Sequence, residues 1–260
     1  MFSLNNFNYY QATSAYIDFS WQYGPYICFA YILMCYFGPR LMKNHKGYEL
    51  YYPLIGWNFF LAFFSIFGAY TVFPHMLNNL ISMPHDEMFC NTRNEVVPEL
   101  FGLWTFIFNI SKLFEFVDTI FIILRKKKLI FLHYYHHLMT MFYTGYSCYF
   151  FNSDPFMLNY GYYFGSLNLL IHALMYSYYT VMATKKVRFP KIISISITSL
   201  QIFQMIIGLY IHFVIYNNCL NEINSHHIKI GFLMYLSYFV LFIHFFAKTY
   251  LGKKEEKKRE

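Results

Sequence analysis

The amino-acid sequence predicts an all-α integral membrane protein, and three observations support this class. Of its 260 residues, 57% are hydrophobic and 24% are aromatic, whereas only 13% are charged. A soluble domain carries about twice that charged fraction. Apolar segments long enough to cross the hydrocarbon core recur along the chain, and basic residues cluster in alternate connections between them. A polytopic membrane protein explains this pattern better than a large soluble core does.

With about 20 apolar residues for each crossing, the sequence predicts seven spans. They cover residues 24–38, 53–73, 100–124, 129–151, 156–180, 191–215 and 229–250. Residues 1–22 have neither the basic start nor the small-residue cleavage site of a signal peptide, so we expect no cleavage there. We expect one seven-helix membrane domain over residues 1–250 and a basic tail over residues 251–260.

The positions of the basic residues predict the orientation of these spans. Most of the 20 lysines and arginines lie in segments 40–46, 125–128, 185–191 and 248–259. All four segments fall on one side of a seven-span protein, and the positive-inside rule makes that side cytosolic. The N-terminus is then lumenal and the C-terminus cytosolic. The net charge of +7 accordingly indicates a rim that meets anionic lipid or a polyanionic substrate, not a nucleic-acid surface.

Three histidines in the fourth predicted span form the most informative cluster of the sequence. His133, His136 and His137 are spaced i, i+3 and i+4, so they share one face of a helix. Ionisable groups at membrane depth are costly, and they usually face a protein interior or a wet cavity where they have a function. The cluster therefore indicates either a metal site or a buried site of nucleophilic and acid–base chemistry.

Three other spans each carry a polar stripe at helical spacing. The stripes are Lys112, Glu115, Asp118 and Thr119 in the third span, Asn168, His172, Tyr176 and Tyr179 in the fifth, and Thr198, Gln201 and Gln204 in the sixth. A structural ion pair and polar helix packing are the alternative interpretations of these stripes. The simplest arrangement is one in which all four polar faces, including that of the histidines, line one internal chamber.

These motifs together resemble those of the fatty-acid elongases of the endoplasmic reticulum, which are the condensing enzymes (3-oxoacyl-CoA synthases) of very-long-chain fatty acid synthesis. The matching segments, in family order, are 112–119, 133–137, 168–179 and 198–204. The resemblance covers roughly residues 25–250. It implies seven helices, six of which form a narrow barrel, closed toward the lumen, around an acyl tunnel.

Features outside the four motifs fit the same family. Cys90 and Cys219 lie in predicted lumenal loops, where two cysteines can pair or remain free. The resemblance implies a disulfide between lumenal loops, which here would be Cys90–Cys219. Lys257 and Lys258 resemble a dilysine signal for retrieval to the endoplasmic reticulum, which requires a cytosolic tail. Lys128 stands where relatives acting on polyunsaturated chains usually have Gln, so this chain is more similar to the group acting on saturated and monounsaturated acyl-CoA.

The resemblance implies the condensation of an acyl-CoA with malonyl-CoA to 3-oxoacyl-CoA, CO2 and CoA, without a metal or other cofactor. We hypothesise that His136 takes the acyl group as an acyl-imidazole, while His133 or His137 moves protons and orients it. The catalytic candidates that stabilise an enolate or hold these groups are His172, Asn168, Lys112 and Asp118. The candidates for substrate contact are Glu115, Thr119, Tyr176, Tyr179, Gln201, Gln204, Arg125, Lys128, Lys185 and Lys186.

Two other functions are considered. A membrane di-iron desaturase or hydroxylase also uses an HxxHH motif, but it needs about eight imidazoles in several boxes, and this chain has one such box. A transporter also buries charges, and broken spans at matched positions in two halves would indicate one. Expected partners are the lipid bilayer, the two CoA substrates, the reductases and dehydratase of the elongation cycle, and a second copy in a homodimer.

Overall fold

A computed structural model of the chain describes residues 9–90, 99–151, 155–220 and 222–252. This described part consists of helices and their connections and contains no strand, so the predicted all-α class is confirmed. Among the described residues, three helical segments are long and apolar enough to cross a membrane: Tyr51–Ser82, Lys191–Asn218 and Ser225–Leu251. The count of seven crossings stays a prediction. The dilysine sequence at 257–258 lies outside the described residues.

The helices follow the predicted order along the chain. They are α1 (Tyr9–Leu41), α2 (Tyr51–Ser82), α3 (His85–Cys90), α4 (Glu99–Phe114), α5 (Phe116–Leu124), α6 (Phe131–Phe151), α7 (Pro155–Ala183), α8 (Lys191–Asn218) and α9 (Glu222–Phe246). A short 3₁₀ turn follows α1 and a π-helical turn follows α9. The third predicted span is divided at Glu115, where the Asp118 N–H donates to the Glu115 carbonyl at 3.1 Å in a tight turn.

Contacts between connections bring predicted cytosolic segments together at one end of the molecule. The Lys126 ammonium, between α5 and α6, donates to the Lys43 carbonyl at 2.9 Å. The Tyr51 hydroxyl, at the start of α2, donates to the Thr184 carbonyl at 2.8 Å, just before the basic segment that leads into α8. Three of the four basic segments therefore lie at the same end, as the charge pattern predicts.

The opposite end is tied covalently. Cys90, at the end of α3, and Cys219, just after α8, form a disulfide with their Cα atoms 5.6 Å apart. This is the pair that the family resemblance implies. His85 Nδ1 and the Tyr210 hydroxyl, 2.6 Å apart, link the same two helices.

We expect loss of this disulfide to lower thermal stability measurably. The bond closes a loop with a sequence separation of 129, so Cys90→Ser removes a large constraint on the unfolded chain. The expected cost is about 2–5 kcal/mol, read as a fall in the melting temperature of the purified protein. Cys219→Ser and the double variant should match Cys90→Ser. Unchanged melting of all three variants would show that the bond does not stabilise the fold.

The packing leaves one apolar face of α2 uncovered. α2 packs along α7, and α8 packs along α9. Phe59, Phe60, Phe63, Phe67 and Tyr70 of α2 are all more than half exposed. Aromatic side chains at this density are costly in water and favourable in hydrocarbon, so this face suits contact with lipid.

A polar cluster lies in the core where α6, α7, α8 and α9 meet. The Tyr143 hydroxyl lies 2.8 Å from the Tyr160 hydroxyl and 2.7 Å from His227 Nε2. The Tyr160 hydroxyl lies 2.7 Å from His212 Nε2. Because these groups satisfy each other, four polar side chains are buried without unpaired hydroxyls.

Gly231 of α9 lies directly against this cluster, where there is no room for a side chain. Gly231→Ala is therefore expected to destabilise the fold. An added Cβ would lie 2.3 Å from the Tyr143 hydroxyl and 2.5 Å from His212 Nε2. Relieving such contacts in a packed core costs about 1–3 kcal/mol. Gly56→Ala is the matched control, because nothing lies within 4 Å of its added Cβ. Thermal melting of both variants measures the difference, and equal melting temperatures would contradict this account.

Candidate active site

A cavity of about 300 Å³ lies between the ends of α5–α9, nearer the end that carries the basic segments. Its lining includes most of the polar residues that the sequence singles out. These are Asp118, His133, His136, His137, Asn168, His172, Tyr176, Tyr179, Thr198, Gln201 and Gln204. The four polar faces therefore converge, as their spacing predicts, because each stripe occupies the inward side of its helix.

The remaining predicted site residues lie elsewhere. Lys112, Glu115 and Thr119 are buried, but they do not line this cavity. Arg125 lines a different cavity, of about 390 Å³, between α2, α5 and α7. That cavity shares Asp118, His133, Tyr176 and Tyr179 with the first one. Lys128, Lys185 and Lys186 are exposed and line neither cavity.

Lys112 anchors a buried hydrogen-bond network beneath the cavity. Its ammonium lies 2.6 Å from Glu115 Oε1, donates to Asn168 Oδ1 at 3.0 Å, and sits 4.1 Å above the Phe108 ring. Lys112 and Glu115 are each only 3% exposed. A buried cation that keeps its charge needs such partners, and the carboxylate, amide oxygen and ring face supply them.

This ammonium fixes the orientation of the neighbouring amide and imidazole. Because Lys112 can only donate, it must face the oxygen of Asn168, which turns the Asn168 nitrogen toward His172. Asn168 Nδ2 lies 3.2 Å from His172 Nε2, so that Nε2 accepts and His172 carries its proton on Nδ1. His172 Nδ1 lies 3.7 Å from Glu115 Oε1, which suits an N–H that faces a carboxylate. Among the described residues, the second N–H of the Asn168 amide has no hydrogen-bond partner, so it is available to a ligand in the cavity.

Glu115 is the shared counter-ion of the site. In addition to its contacts with Lys112 and His172, Glu115 has a second oxygen, Oε2, that lies 3.7 Å from His137 Nδ1. One carboxylate thus faces an ammonium and two imidazoles from α4, α6 and α7. At low dielectric this arrangement compensates the buried lysine charge and orients both rings.

Asp118 has a separate set of donors. Its Oδ1 accepts from the Trp57 indole N–H at 2.7 Å, and its Oδ2 accepts from the Tyr176 hydroxyl at 2.8 Å. These bonds tie α5 to α2 and α7. A carboxylate with a donor on each oxygen is held firmly, so Asp118 forms a rigid part of the cavity wall.

Within the described residues, His136 differs from the other cavity histidines because its ring has neither a hydrogen bond nor a carboxylate beside it. His133 bonds to Thr119 and His172 to Asn168, while His137 faces Glu115. Within the described part of the chain, the His136 imidazole has ring contacts but no hydrogen bond. Its ring centroid lies 5.4, 5.0 and 6.5 Å from those of His137, Tyr238 and Phe242.

A second, narrower cavity of about 80 Å³ adjoins the first one. The two cavities share His136, Asn168, Gln204 and Met205 in their linings. The narrow cavity reaches Tyr143 and Tyr160 of the polar core cluster, and most of its lining is aromatic or apolar. Tyr143 lies two turns beyond His136 on α6, roughly 10 Å along the helix axis. His136 therefore lies between a wide cavity with many polar side chains and a narrow, mainly apolar one.

Comparison with known proteins identifies the family of this chain. The sequence model of the ELO family (GNS1/SUR4 family) matches residues 16–258. The chain belongs to the ELO family. Very long chain fatty acid elongase 6 of Drosophila melanogaster is 38% identical over 268 residues, which cover 100% of this chain and 82% of that protein. The predicted family resemblance is confirmed.

Further relatives cover most of their own length as well. Very long chain fatty acid elongase 3 of Homo sapiens is 35% identical over 263 residues, 99% of this chain and 94% of the relative. Long chain fatty acid elongase 1 of Caenorhabditis elegans is 36% identical over 233 residues, 85% of this chain and 77% of the relative.

ELO membership favours neither a transporter nor a di-iron enzyme. Among the residues that the structure describes, no three His, Cys, Asp or Glu side chains form a group suited to a metal ion.

Several side chains near the candidate site belong to none of the sequence motifs. Trp57 and Tyr31 reach the site from α2 and α1, and Tyr238 contacts His136 from α9. His212 and His227 belong, with Tyr143 and Tyr160, to the polar core cluster. His212 lies three helical turns after Gln201 on the same face of α8, so the spacing argument that singles out Thr198, Gln201 and Gln204 could have found it.

Proposed function

We propose that this ELO-family chain condenses a long-chain acyl-CoA with malonyl-CoA to give 3-oxoacyl-CoA, CO2 and free CoA. ELO membership and the elongase relatives support fatty-acid elongation as the overall activity. The observation that supports the condensation is the position of His136, a histidine that lines both cavities and whose ring has no hydrogen bond within the described residues. A thioester at this junction would have its acyl tail in the narrow cavity and its CoA arm in the wide one.

In the first half-reaction, a ring nitrogen of His136 attacks the thioester carbonyl. The C–S bond breaks, CoA leaves as the thiol, and its proton is the one that the imidazole gives up. His133 and His137 carry that proton between the two groups, since their ring centroids lie 4.4 Å apart and His137 adjoins His136 at 5.4 Å. The product is an acyl-imidazole, which divides one difficult transfer into two easier steps.

In the second half-reaction, malonyl-CoA loses CO2, and the bonding electron pair stays on its α-carbon as an enolate. That carbon attacks the acyl carbonyl and the C–N bond to His136 breaks. The imidazole takes up one proton, so the cycle consumes one proton overall. The free N–H of Asn168 is the proposed donor to the enolate oxygen, with Lys112 and His172 holding the amide in place.

The surroundings of the site suit the two ends of the substrates. The wide cavity extends to Ser194 and Tyr250, close to the basic segments, where CoA phosphates would find lysines and arginines. Gln201 and Gln204 line the wide cavity on the α8 side, and Arg125 lines the adjoining cavity.

We further propose that the protein lies in the endoplasmic reticulum membrane with a lumenal N-terminus and a cytosolic C-terminus. The other elongation-cycle enzymes and a second copy are the proposed protein partners.

A direct assay tests the proposed reaction. Purified protein in lipid is given carboxyl-labelled malonyl-CoA with and without a panel of saturated, monounsaturated and polyunsaturated acyl-CoA. We expect labelled CO2 release only when acyl-CoA is present, together with a 3-oxoacyl-CoA two carbons longer than the substrate. Release without acyl-CoA, or no product with any acyl chain, would reject the condensation.

A further inference from the structure

We propose that Tyr31, on α1, is a positioning residue for the elongation reaction, acting through Thr119 on His133. This inference rests on the proposed function, because it assigns His133 to proton movement beside His136. None of the four sequence motifs contains Tyr31. It reaches the site from a helix that lies against α5 and α6.

Three side chains from three helices form a continuous hydrogen-bonded series. The Tyr31 hydroxyl lies 2.8 Å from Thr119 Oγ1, and Thr119 Oγ1 lies 2.9 Å from His133 Nε2. Tyr31 is 3% exposed and Thr119 is 0% exposed. Both bonds are of normal length, and Tyr31 and Thr119 are shielded from water, so the series constrains the His133 ring strongly.

The packing around Tyr31 keeps the series in place. The Tyr31 ring stacks on Phe116 with ring centroids 3.9 Å apart, and both pack with Met141 of α6. Of the α1 side chains that the structure describes, only Ser20 and Tyr31 are buried. Apart from these two, α1 shows its aromatic side chains, such as Tyr26 at 73% exposure, to the surroundings. A tyrosine hydroxyl directed inward from this helix therefore has a specific polar target.

The chemistry of the hydroxyls explains how the series acts on His133. A threonine hydroxyl has one proton to donate, so its bonds to Tyr31 and His133 depend on each other. When Tyr31 donates to Thr119, the Thr119 proton is directed to His133 Nε2, and the neutral ring carries its proton on Nδ1. When His133 is protonated, Nε2–H donates to Thr119 instead, and the Thr119 proton turns toward the Tyr31 oxygen. In both protonation states the series holds the His133 ring through Nε2. Nδ1 of His133 stays available to exchange protons in the cavity.

The test measures kcat and KM for acyl-CoA in Tyr31→Phe, Thr119→Val and Thr119→Ser. Tyr31→Phe keeps the ring and its stacking but removes the hydroxyl, and we expect kcat to fall about 10-fold with KM nearly unchanged. Thr119→Val should fall at least as far, whereas Thr119→Ser keeps the hydroxyl and should retain most activity. Tyr26→Phe, an exposed change on the same helix, is the matched control. The folded fraction of each variant is measured by size-exclusion chromatography and used to correct kcat.

The double variant Tyr31→Phe/Thr119→Val decides between positioning and independent packing. If Tyr31 acts only through Thr119, the double variant has the same kcat as Thr119→Val alone. Multiplied losses, a wild-type kcat in Tyr31→Phe, or a failure of Thr119→Ser to retain activity would overturn the inference. A wild-type protein with no condensing activity would instead reject the proposed function, so the two failures are distinct.

Discussion

Replacement of His136 by alanine is expected to lower kcat for elongation by at least about 10³-fold. The residue would supply the bond to the acyl group, and among the cavity histidines of the described structure it alone has neither a hydrogen bond nor a carboxylate beside its ring. Its removal also leaves the hydrogen bonds of His133 and His172 intact, so the fold should persist. Elongation of a saturated acyl-CoA, measured with labelled malonyl-CoA, gives the rate.

Two comparison variants make the His136 result specific. His244→Ala changes an exposed histidine on α9 and should keep wild-type activity. His133→Ala removes a proposed proton carrier and should cost less than His136→Ala, because a general acid–base group contributes typically 10²–10⁴-fold and a neighbour can substitute in part. Activity of His136→Ala within a few-fold of wild type would remove His136 from the reaction.

The second large effect is expected at the buried ion pair. Glu115→Gln leaves the Lys112 ammonium buried without its carboxylate, whose oxygen lies 2.6 Å away. Breaking such a pair by removal of one partner typically costs 3–5 kcal/mol of stability, so a large fall in melting temperature should follow. Elongation should also be lost, because Glu115 orients His137 and His172 and Lys112 orients Asn168.

A paired replacement separates the two roles of this pair. In Lys112→Met/Glu115→Leu no buried charge remains unpaired, so stability should recover relative to Glu115→Gln. Elongation should stay low, since neither Asn168 nor the two imidazoles are then oriented. Melting temperature and kcat are measured on the same preparations. A single variant as stable as wild type, or an active double variant, would show that this network is not what holds the site.

Much of the fold follows from apolar length and the positions of the basic residues. The predicted spans coincide with helices because about 20 apolar residues in this setting have few alternatives to helix. The boundaries were less accurate where polar residues follow. The second span is predicted to end at residue 73, whereas α2 continues past Pro74 and His75 to Ser82. His75 and Asn79 pack against Tyr162 and Tyr163 of α7, which stabilises polar residues in the helix.

The composition of the site follows from helical spacing, but its internal arrangement does not. Spacing places Asn168 and His172 on one face, and the cavity includes both. Spacing cannot show that Lys112 lies behind that face and directs the amide oxygen toward itself. Trp57 and Tyr31 were not identified because each contributes one donor from a helix without a polar stripe. Such partners depend on how helices pack, and a single span does not encode that.

The most direct test of this account is the mass of the protein after incubation with acyl-CoA alone. Intact mass spectrometry should show one added acyl group with release of an equal amount of free CoA. Peptide mapping should place the group on His136, and His136→Ala should carry none. Subsequent addition of malonyl-CoA should remove the group and yield 3-oxoacyl-CoA. An acyl group on another residue, or a wild-type protein that elongates acyl-CoA without ever carrying one, would contradict the proposed chemistry.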